Sequence, residues 1–323
     1  MSIFLKKAGL LTTVQDLGRF GYRRFGINPN GVMDRTAARI VNILIGNDEH
    51  DAVLEMHFPA AEIVFEKPCV FAIGGSELTP QLDGLPIANW CTHRAETGGT
   101  LRFRSKQKGN RAYLAVQGGL CVDEWFGSKS TNLAAAIGGF AGRVLQTGDR
   151  IETNAADGMP WCDQRVVAAS LIPHYSRFPT VRVIPGAEFE LLTDASRETF
   201  SAANYSITNN SNRMGFRLNG EPLALAQPLE LVSSAVSFGT IQLLPDGQMI
   251  VLMADHQTSG GYPRIAHVIE RDLPVLGQLG GGDSVAFHPV TLSDAELLAA
   301  ELEHDLAKLK VGVALAKSLP PKL

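Results

Sequence analysis

The chain has 323 residues, of which 45% are hydrophobic and 19% are charged, and its formal net charge is −4. A chain of this length and composition buries a substantial core and is long enough for two domains, which excludes an intrinsically disordered protein. The near balance of 29 basic and 33 acidic residues excludes electrostatic recruitment of nucleic acid.

No segment has the apolar length of a membrane helix, and the amino end lacks the apolar core of a signal peptide. The four cysteines, Cys69, Cys91, Cys121 and Cys162, show no paired spacing, which is typical of a reducing compartment. We therefore expect a cytoplasmic protein with no membrane partner.

Short apolar and β-branched runs bounded by Gly, Asp and Asn predict a mainly β fold. These runs are EIVFE, TLRFR, AYLAV, GTIQLL, MIVLMA and DSVAF. Helical periodicity is clear in two places only. The first helix spans residues 34–44, with Asp34 as N-cap and Gly46 as the stop, and the second begins at Ser293, which has capping-box spacing to Glu296.

Matched landmarks in the two halves of the chain predict a tandem repeat. An apolar strand, a polar turn and a D-G or N-G pair occur at residues 71–87 and again at residues 205–223. Further along the chain, the strand after Gly99 corresponds to the strand after Gly239. The alternative is that any two β segments punctuated by glycine look alike. We expect a first β unit at residues 1–165 with a helical insertion near 34–46, a second at 178–292, and a helix and tail at 293–323.

The segment LTTVQDLGRFGYRRFG, at residues 11–26, concentrates Thr13, Gln15, Asp16 and Arg19 among glycines after an apolar strand. Such a segment suits an anionic ligand, because the arginine supplies a planar fork and glycines let backbone amides approach. The structural alternative is that Asp16 and Arg19 pair to hold a loop.

Two further polar segments follow apolar strands in the second half. DHQTSGGY, at residues 255–262, places polar side chains at a strand end, where binding sites are common. Its candidate residues are Asp255, Gln257, Thr258 and Tyr262. NNSNRMGFR, at residues 209–217, adds Arg213, for which a solvated turn arginine is the alternative.

Gln242 lies in an otherwise apolar strand and needs a partner if it is buried. The GSKST segment at residues 127–131 fails the spacing of a nucleotide-binding P-loop, and the eight histidines show no zinc-binding spacing. The sequence therefore indicates no metal site of its own.

Several segments occur in the order and spacing of a known family. They are TTVQDLGRFGY, GVMD, IGNDEHDAVLE, YLAVQGGL, FGSKST, SNRMGFRLNG, GTIQLLPDGQ and VLMADHQTSGGYPRIA. Over about residues 3–290 the chain resembles the carboxyltransferase-like family that contains the 5-oxoprolinase C subunit, allophanate hydrolase subunit 2 and the KipA proteins. The resemblance implies a pair of cyclophilin-like β-barrels. The partners it implies are the KipI-like B subunit plus the 5-oxoprolinase A subunit, with ATP and Mg²⁺ as cofactor.

The resemblance leaves three functions open. The first is an enzyme subunit that opens the small-molecule substrate 5-oxoproline to glutamate at the expense of ATP. The second is a carboxyltransferase component of a biotin-dependent urea carboxylase, which this chain supports less well because no Met-Lys attachment motif for covalently bound biotin is present. The third is a KipA-type regulator that binds a KipI-like partner.

For the enzyme we expect Arg19, Arg213 and Asp255 to be catalytic and to converge on one cleft. The arginines would neutralise carboxylate or phosphoryl charge, and Asp255 would hold magnesium or orient the lactam N–H. The expected substrate-binding residues are Thr13, Gln15, Asp16, Gln242, Gln257, Thr258 and Tyr262.

Overall fold

The computed structural model describes residues 2–154 and 164–318, and within them the fold is mainly β with few helices, as predicted. The strands are β1 Ser2–Lys7, β2 Thr12–Gln15, β3 Val53–His57, β4 Glu62–Phe65, β5 Cys69–Glu77, β6 Pro80–Leu82, β7 Leu85–Pro86, β8 Thr92–Ala95, β9 Thr100–Phe103, β10 Lys108–Val116, β11 Leu120–Cys121, β12 Arg150–Thr153, β13 Thr180–Pro185, β14 Asn204–Ile207, β15 Gly215–Asn219, β16 Ser234–Ala235, β17 Thr240–Leu243, β18 Met249–Leu252, β19 Ser259–Gly260, β20 Arg264–Val268 and β21 Ser284–Pro289. The α-helices are α1 Arg35–Ile45, α2 Asp194–Ala202, α3 Leu273–Gly277 and α4 Leu292–Ser318.

The chain divides into two compact units. The first contains the described residues of Met1–Arg19, Asp34–His174 and Glu303–Leu323, and the second contains Phe20–Met33 and Tyr175–Leu302. This division differs from the sequence-based boundaries, which gave residues 20–33 to the first unit and all of 293–323 to a separate tail.

The first unit is built from two antiparallel sheets. One has the order β11-β12-β1-β4-β9-β6-β7, and the other has the order β2-β3-β10-β5-β8. Helix α1 packs on β5 and β10. It begins where predicted, because the Asp34 carboxylate accepts a hydrogen bond from the Ala37 amide at 2.8 Å. It ends at Gly46, whose φ of 81° is the left-handed conformation that glycine adopts without strain.

The second unit is a closed barrel of seven strands in the order β13-β20-β17-β18-β15-β14-β21. The first and last strands, β13 and β21, are parallel and close the barrel, whereas the other pairs are antiparallel. Its core is apolar and aromatic, and the rings of Phe200 and Phe287 stack with their centroids 5.2 Å apart. The barrel fixes the ends of β15, β17 and β18, from which the site described below is built.

The strand pairing differs between the two halves at one landmark of the predicted repeat. In the second unit β17, after Gly239, pairs directly with β18. In the first unit β9, after Gly99, lies in a different sheet from β10, its successor along the chain. The correspondence between the strands after Gly99 and Gly239 therefore does not support the repeat.

The amino-terminal cap of α4 corrects the sequence-based prediction. The Thr291 hydroxyl accepts a hydrogen bond from the Asp294 amide at 3.1 Å, and the Asp294 carboxylate accepts one from the Thr291 amide at 3.2 Å. The reciprocal pair of a capping box is thus Thr291 and Asp294, two residues before the predicted Ser293 and Glu296. The short helices α2 and α3 were not predicted.

Cys69 and Cys91 are free and buried, Cys121 is free and exposed, and Cys162 lies outside the described residues. Burial raises the pKa of the Cys69 thiol to about 12, which makes it a weak nucleophile. Among the described residues, no helix has the length and apolar character needed to cross a membrane.

Candidate functional site

A cleft of about 530 Å³ opens in the second unit beside β15, β17 and β18. We call it the amide cleft, because amide side chains are prominent in its wall. It is lined by Asn210, Asn212, Met214, Gly215, Arg217, Gln242, Leu244, Pro245, Asp246, Ile250, Gln257 and Tyr262. Three of the predicted substrate-binding residues, Gln242, Gln257 and Tyr262, are therefore brought together.

Gln242 is the fully buried polar residue of the amide cleft. Its Nε2 donates a hydrogen bond of 3.4 Å to the Tyr262 carbonyl, while its Oε1 has no hydrogen-bond partner among the described residues. A Cβ at Gly260 would lie 2.7 Å from Nε2, so a glycine there lets the backbone approach the amide. An unpartnered buried acceptor costs about 1–3 kcal/mol, a cost that a ligand N–H donor would remove.

Arg217 supplies the positive charge of the amide cleft. It follows Phe216 and precedes Leu218 in β15, and both neighbours point into the barrel core while Arg217 is exposed. Its guanidinium makes no hydrogen bond or ion pair with any residue of the described ranges. The five donors of this planar group are thus open to a carboxylate.

The rest of the lining combines polar and apolar groups. Asn212 uses its Oδ1 to accept a hydrogen bond from the Met214 amide at 2.8 Å, which fixes its side chain. Tyr262 is 45% exposed. Met214, Leu244, Pro245 and Ile250 supply apolar surface. The cleft can therefore hold a small ring with an N–H donor and an anionic group.

Arg213 and Asp255 form a bidentate ion pair in the second unit. Arg213 Nε lies 2.9 Å from Asp255 Oδ2, and its Nη2 lies 3.0 Å from Oδ1. Asp255 Oδ1 also accepts from Asn30 at 2.8 Å, and Arg213 Nη2 donates to the Gly31 carbonyl at 2.5 Å. The pair therefore links the loop at residues 30–31 to the segment before β15 and to the segment after β18.

This pairing disagrees with the expected magnesium role of Asp255. Both of its carboxylate oxygens already accept hydrogen bonds, and both face the positive charge of Arg213. Within residues 2–154 and 164–318, no group of three or more His, Cys, Asp or Glu side chains is placed to hold a metal ion. No magnesium-dependent step is therefore assigned to Asp255.

In the first unit, the Asp16 carboxylate accepts hydrogen bonds from the turn at residues 128–130 instead of pairing with Arg19. Its carboxylate accepts from the Ser128 hydroxyl at 2.7 Å, the Ser130 hydroxyl at 2.5 Å and the Lys129 amide at 2.6 Å. The structural alternative, in which Asp16 pairs with Arg19, is therefore not observed, because the serine-rich turn supplies the donors to this carboxylate.

Arg19 is 1% exposed and lies against the same turn. Its Nη2 donates to the Ser130 carbonyl at 2.6 Å, and its guanidinium is 4.9 Å from the centroid of the Trp125 ring. Gly138 has a φ of 73°, and a Cβ there would lie 2.5 Å from that Ser130 carbonyl oxygen. A glycine at position 138 therefore allows the backbone to pass close to the carbonyl that accepts the hydrogen bond from Arg19.

Thr13 and Gln15 are also buried in the first unit. Gln15 Nε2 donates to Thr13 Oγ1 and to the Thr131 carbonyl, both at 3.2 Å, and Gln15 Oε1 has no partner within the described ranges. In the second unit, Thr258 is half-buried and its carbonyl accepts from the Val236 amide at 3.3 Å.

The structure brings the predicted residues together in separate groups. Gln242, Gln257 and Tyr262 share the amide cleft, and Arg213 pairs with Asp255. The convergence of Arg19 with that pair stays a prediction. Sequence reasoning missed Arg217, although its place between two apolar residues of a strand is the signal of an outward-facing side chain.

The chain belongs to the family described as the carboxyltransferase domain, subdomain A and B, whose model matches residues 25–289. Its relatives include the protein named as the 5-oxoprolinase C subunit of Haemophilus influenzae, which is 36% identical over 299 residues, spanning 92% of this chain and 94% of that protein. The protein of the same name from Escherichia coli is 36% identical over 289 residues, spanning 90% of this chain and 91% of that protein.

A solved structure with the same fold is the urea amidolyase of K. lactis. It superposes with a TM-score of 0.90 at 28% identity and covers 95% of this chain, which spans 20% of that longer protein. The chain therefore has the fold of one part of a urea amidolyase.

Proposed function

We propose that this chain is the C subunit of an ATP-dependent 5-oxoprolinase that acts with the A and B subunits to convert 5-oxoproline to L-glutamate. Two bacterial relatives with that subunit name match nearly their whole length, which supports the assignment. Their shared name also supports an enzyme of several subunits. That the B subunit is of the KipI type is part of the proposal and rests on the family resemblance.

One observation carries the proposal for the substrate. The amide cleft presents an unpartnered buried acceptor, Gln242 Oε1, in the same wall as the unpaired guanidinium of Arg217, as judged within the described ranges. 5-Oxoproline is a five-membered lactam with one ring N–H donor and one carboxylate. Each of the two open groups in the cleft therefore has a counterpart on the substrate.

The role of the chain is to bind and orient the lactam. Gln242 accepts the ring N–H, and Arg217 holds the carboxylate through charge-assisted hydrogen bonds. The ring then has a fixed position, which lowers the entropic cost of reaction. Amide resonance makes a lactam a poor electrophile, and ATP, when bound, supplies the phosphoryl group that turns the carbonyl oxygen into a leaving group. Hydrolysis is completed with the partner subunits.

A second candidate is a carboxyltransferase component that acts on urea. The fold shared with urea amidolyase at a TM-score of 0.90 favours it. Urea supplies N–H donors for Gln242 but has no carboxylate for Arg217, so it matches only one of the two open groups.

The test compares two lactams in the assembled enzyme of three subunits. Arg217→Gln should raise KM for 5-oxoproline by about 10- to 100-fold, because a hydrogen bond to a charged group contributes about 1.5–3 kcal/mol. Binding of 2-pyrrolidinone, which lacks the carboxylate, should be unchanged. Arg271→Gln, outside the cleft, is the matched control, and Gln242→Met removes the acceptor at similar volume. An unchanged KM for 5-oxoproline in both cleft variants would overturn the substrate assignment.

A further inference from the structure

A second cleft, of about 430 Å³, lies in the first unit and is strongly cationic. Its wall contains Lys6, Lys7, Arg102 and Arg104, with Glu62 as the acidic residue among its lining. We call it the cationic cleft. No step of the proposed lactam chemistry uses these residues, and none was singled out by sequence.

An irregularity in β1 turns two consecutive lysines toward one carboxylate. Successive side chains of a regular strand point to opposite faces of the sheet. The register between β1 and β4 shifts between Leu5 and Lys7. As a result, Lys6 Nζ lies 3.1 Å from Glu62 Oε1 and Lys7 Nζ lies 3.7 Å from Glu62 Oε2. Bulges that re-aim side chains in this way are common beside functional sites.

The two arginines reach the cleft from the end of β9. Residues 102 and 104 are two positions apart, a spacing that places side chains on the same face of an extended chain. Arg102 Nη2 lies 2.9 Å from Glu62 Oε1, and Arg104 Nε donates to Gln81 Oε1 at 2.7 Å. Four cationic side chains thus share the concave surface with one carboxylate.

The charge of Glu62 does not neutralise this surface. Burial raises the pKa of its carboxyl, but the ion pairs with Lys6 and Arg102 outweigh burial and hold that pKa below its ordinary value, so Glu62 is ionised. One negative charge is left facing four positive ones. The side chains of Lys6, Lys7 and Arg102 are 50%, 73% and 45% exposed, so their remaining N–H donors are open to a ligand.

We infer that the cationic cleft binds a multiply charged phosphate anion, either the phosphate chain of a nucleoside triphosphate or free phosphate and pyrophosphate. Guanidinium groups bind phosphate oxygens in a bidentate manner, and ammonium groups add compact positive charge. A concave surface with excess charge of one sign concentrates counter-ions of the other sign. The inference goes beyond the proposed lactam site, since it gives this chain a phosphate site of its own.

The experiment is isothermal titration calorimetry of the full chain at low salt with phosphate, pyrophosphate, AMP and ATP. Saturable binding of pyrophosphate and ATP is expected, and it should weaken as salt is added. The double variant Lys7→Gln/Arg104→Gln should weaken binding by about 10-fold or more, since two charge-assisted contacts are lost. Glu62 keeps Lys6 and Arg102 in this variant, so the fold is retained, which the melting temperature checks.

Lys108→Gln, on β10 and outside the cationic cleft, is the matched control and should bind as the wild type does. ATP binding more tightly than pyrophosphate identifies a nucleotide, whereas equal binding identifies the free anion, and both support the site. The inference is overturned if the wild type binds none of the probes, or if the double variant binds them unchanged. Because 5-oxoproline is absent from this titration, failure here leaves the amide cleft unaffected.

Discussion

Among single residues, the ion pair between Arg213 and Asp255 joins two predicted catalytic residues to each other. A catalytic role predicts variants that fold normally and lose turnover. A fastening role predicts variants that lose stability, because removal of one partner leaves a buried charge without compensation. The side chains of Arg213 and Asp255 are only 7% and 13% exposed, so the second effect is expected to be large.

We predict that Asp255→Asn lowers the free energy of unfolding by about 3 kcal/mol. The amide cannot supply the charge that the Arg213 guanidinium faces at 2.9 and 3.0 Å. Urea denaturation followed by circular dichroism measures the change. Glu296→Gln, at an exposed position of α4, serves as a control and should be neutral. A variant as stable as the wild type but inactive in the assembled enzyme would instead favour catalysis by Asp255.

Part of the amide cleft was predictable from single residues. Gln242 stood out because an amide in an apolar strand requires a partner, and one of its two polar atoms has none among the described residues. Arg217 did not stand out, because an outward-facing arginine on a strand is ordinary unless its neighbours in space are known. Lys6 and Arg104 were not predicted for the same reason. Their common cleft depends on an irregularity of β1 that cannot be recognised from the sequence.

Among the secondary-structure elements, helix α4 has two hydroxyl residues near its start, Thr291 and Ser293, either of which could be its N-cap. We predict that Thr291→Ala destabilises the protein by about 1 kcal/mol, the typical cost of losing an N-cap, because the Asp294 amide loses its acceptor at 3.1 Å. Ser293→Ala should have an effect below about 0.5 kcal/mol. Chemical denaturation of both variants decides between them, and a larger loss for Ser293→Ala would contradict the observed cap.

The helix predictions show which local signals are sufficient. Helix α1 was predicted with both its ends, because an Asp cap, an apolar face and a terminal glycine occur together. For α4 the sequence contains two possible capping pairs of the same spacing. In the structure β21 ends at Pro289 and the helix begins at Leu292, so Thr291 is the residue next to the first turn. Helix α3 has five residues with Pro274 in its first turn, so its periodicity is too short to detect.

At the scale of the whole molecule, the proposed division of the reaction among three subunits has a direct consequence for activity. We predict that the isolated chain releases little glutamate from 5-oxoproline and ATP, and that activity appears when the A and B subunits are added. The reason is that the proposed function divides the reaction among three subunits, and the P-loop spacing is absent from this sequence. Coupled detection of glutamate measures this, with the chain alone as the reference. Full turnover by the lone chain would contradict the need for partners.

The parallel strand pair that closes the barrel also has a consequence for the folding of the second unit during its synthesis on the ribosome. Strand β13 pairs with β21, at the far end of the unit, and with β20 just before it. At synthesis rates of about 5–20 residues per second, β13 waits roughly 5–20 s before β21 is translated. During that interval its hydrogen-bonding edges have no native neighbour, which is the state in which strands pair wrongly with other chains. Slow codons between residues 185 and 284 are therefore expected to lengthen the period in which β13 has unpaired edges and to increase aggregation of the nascent chain.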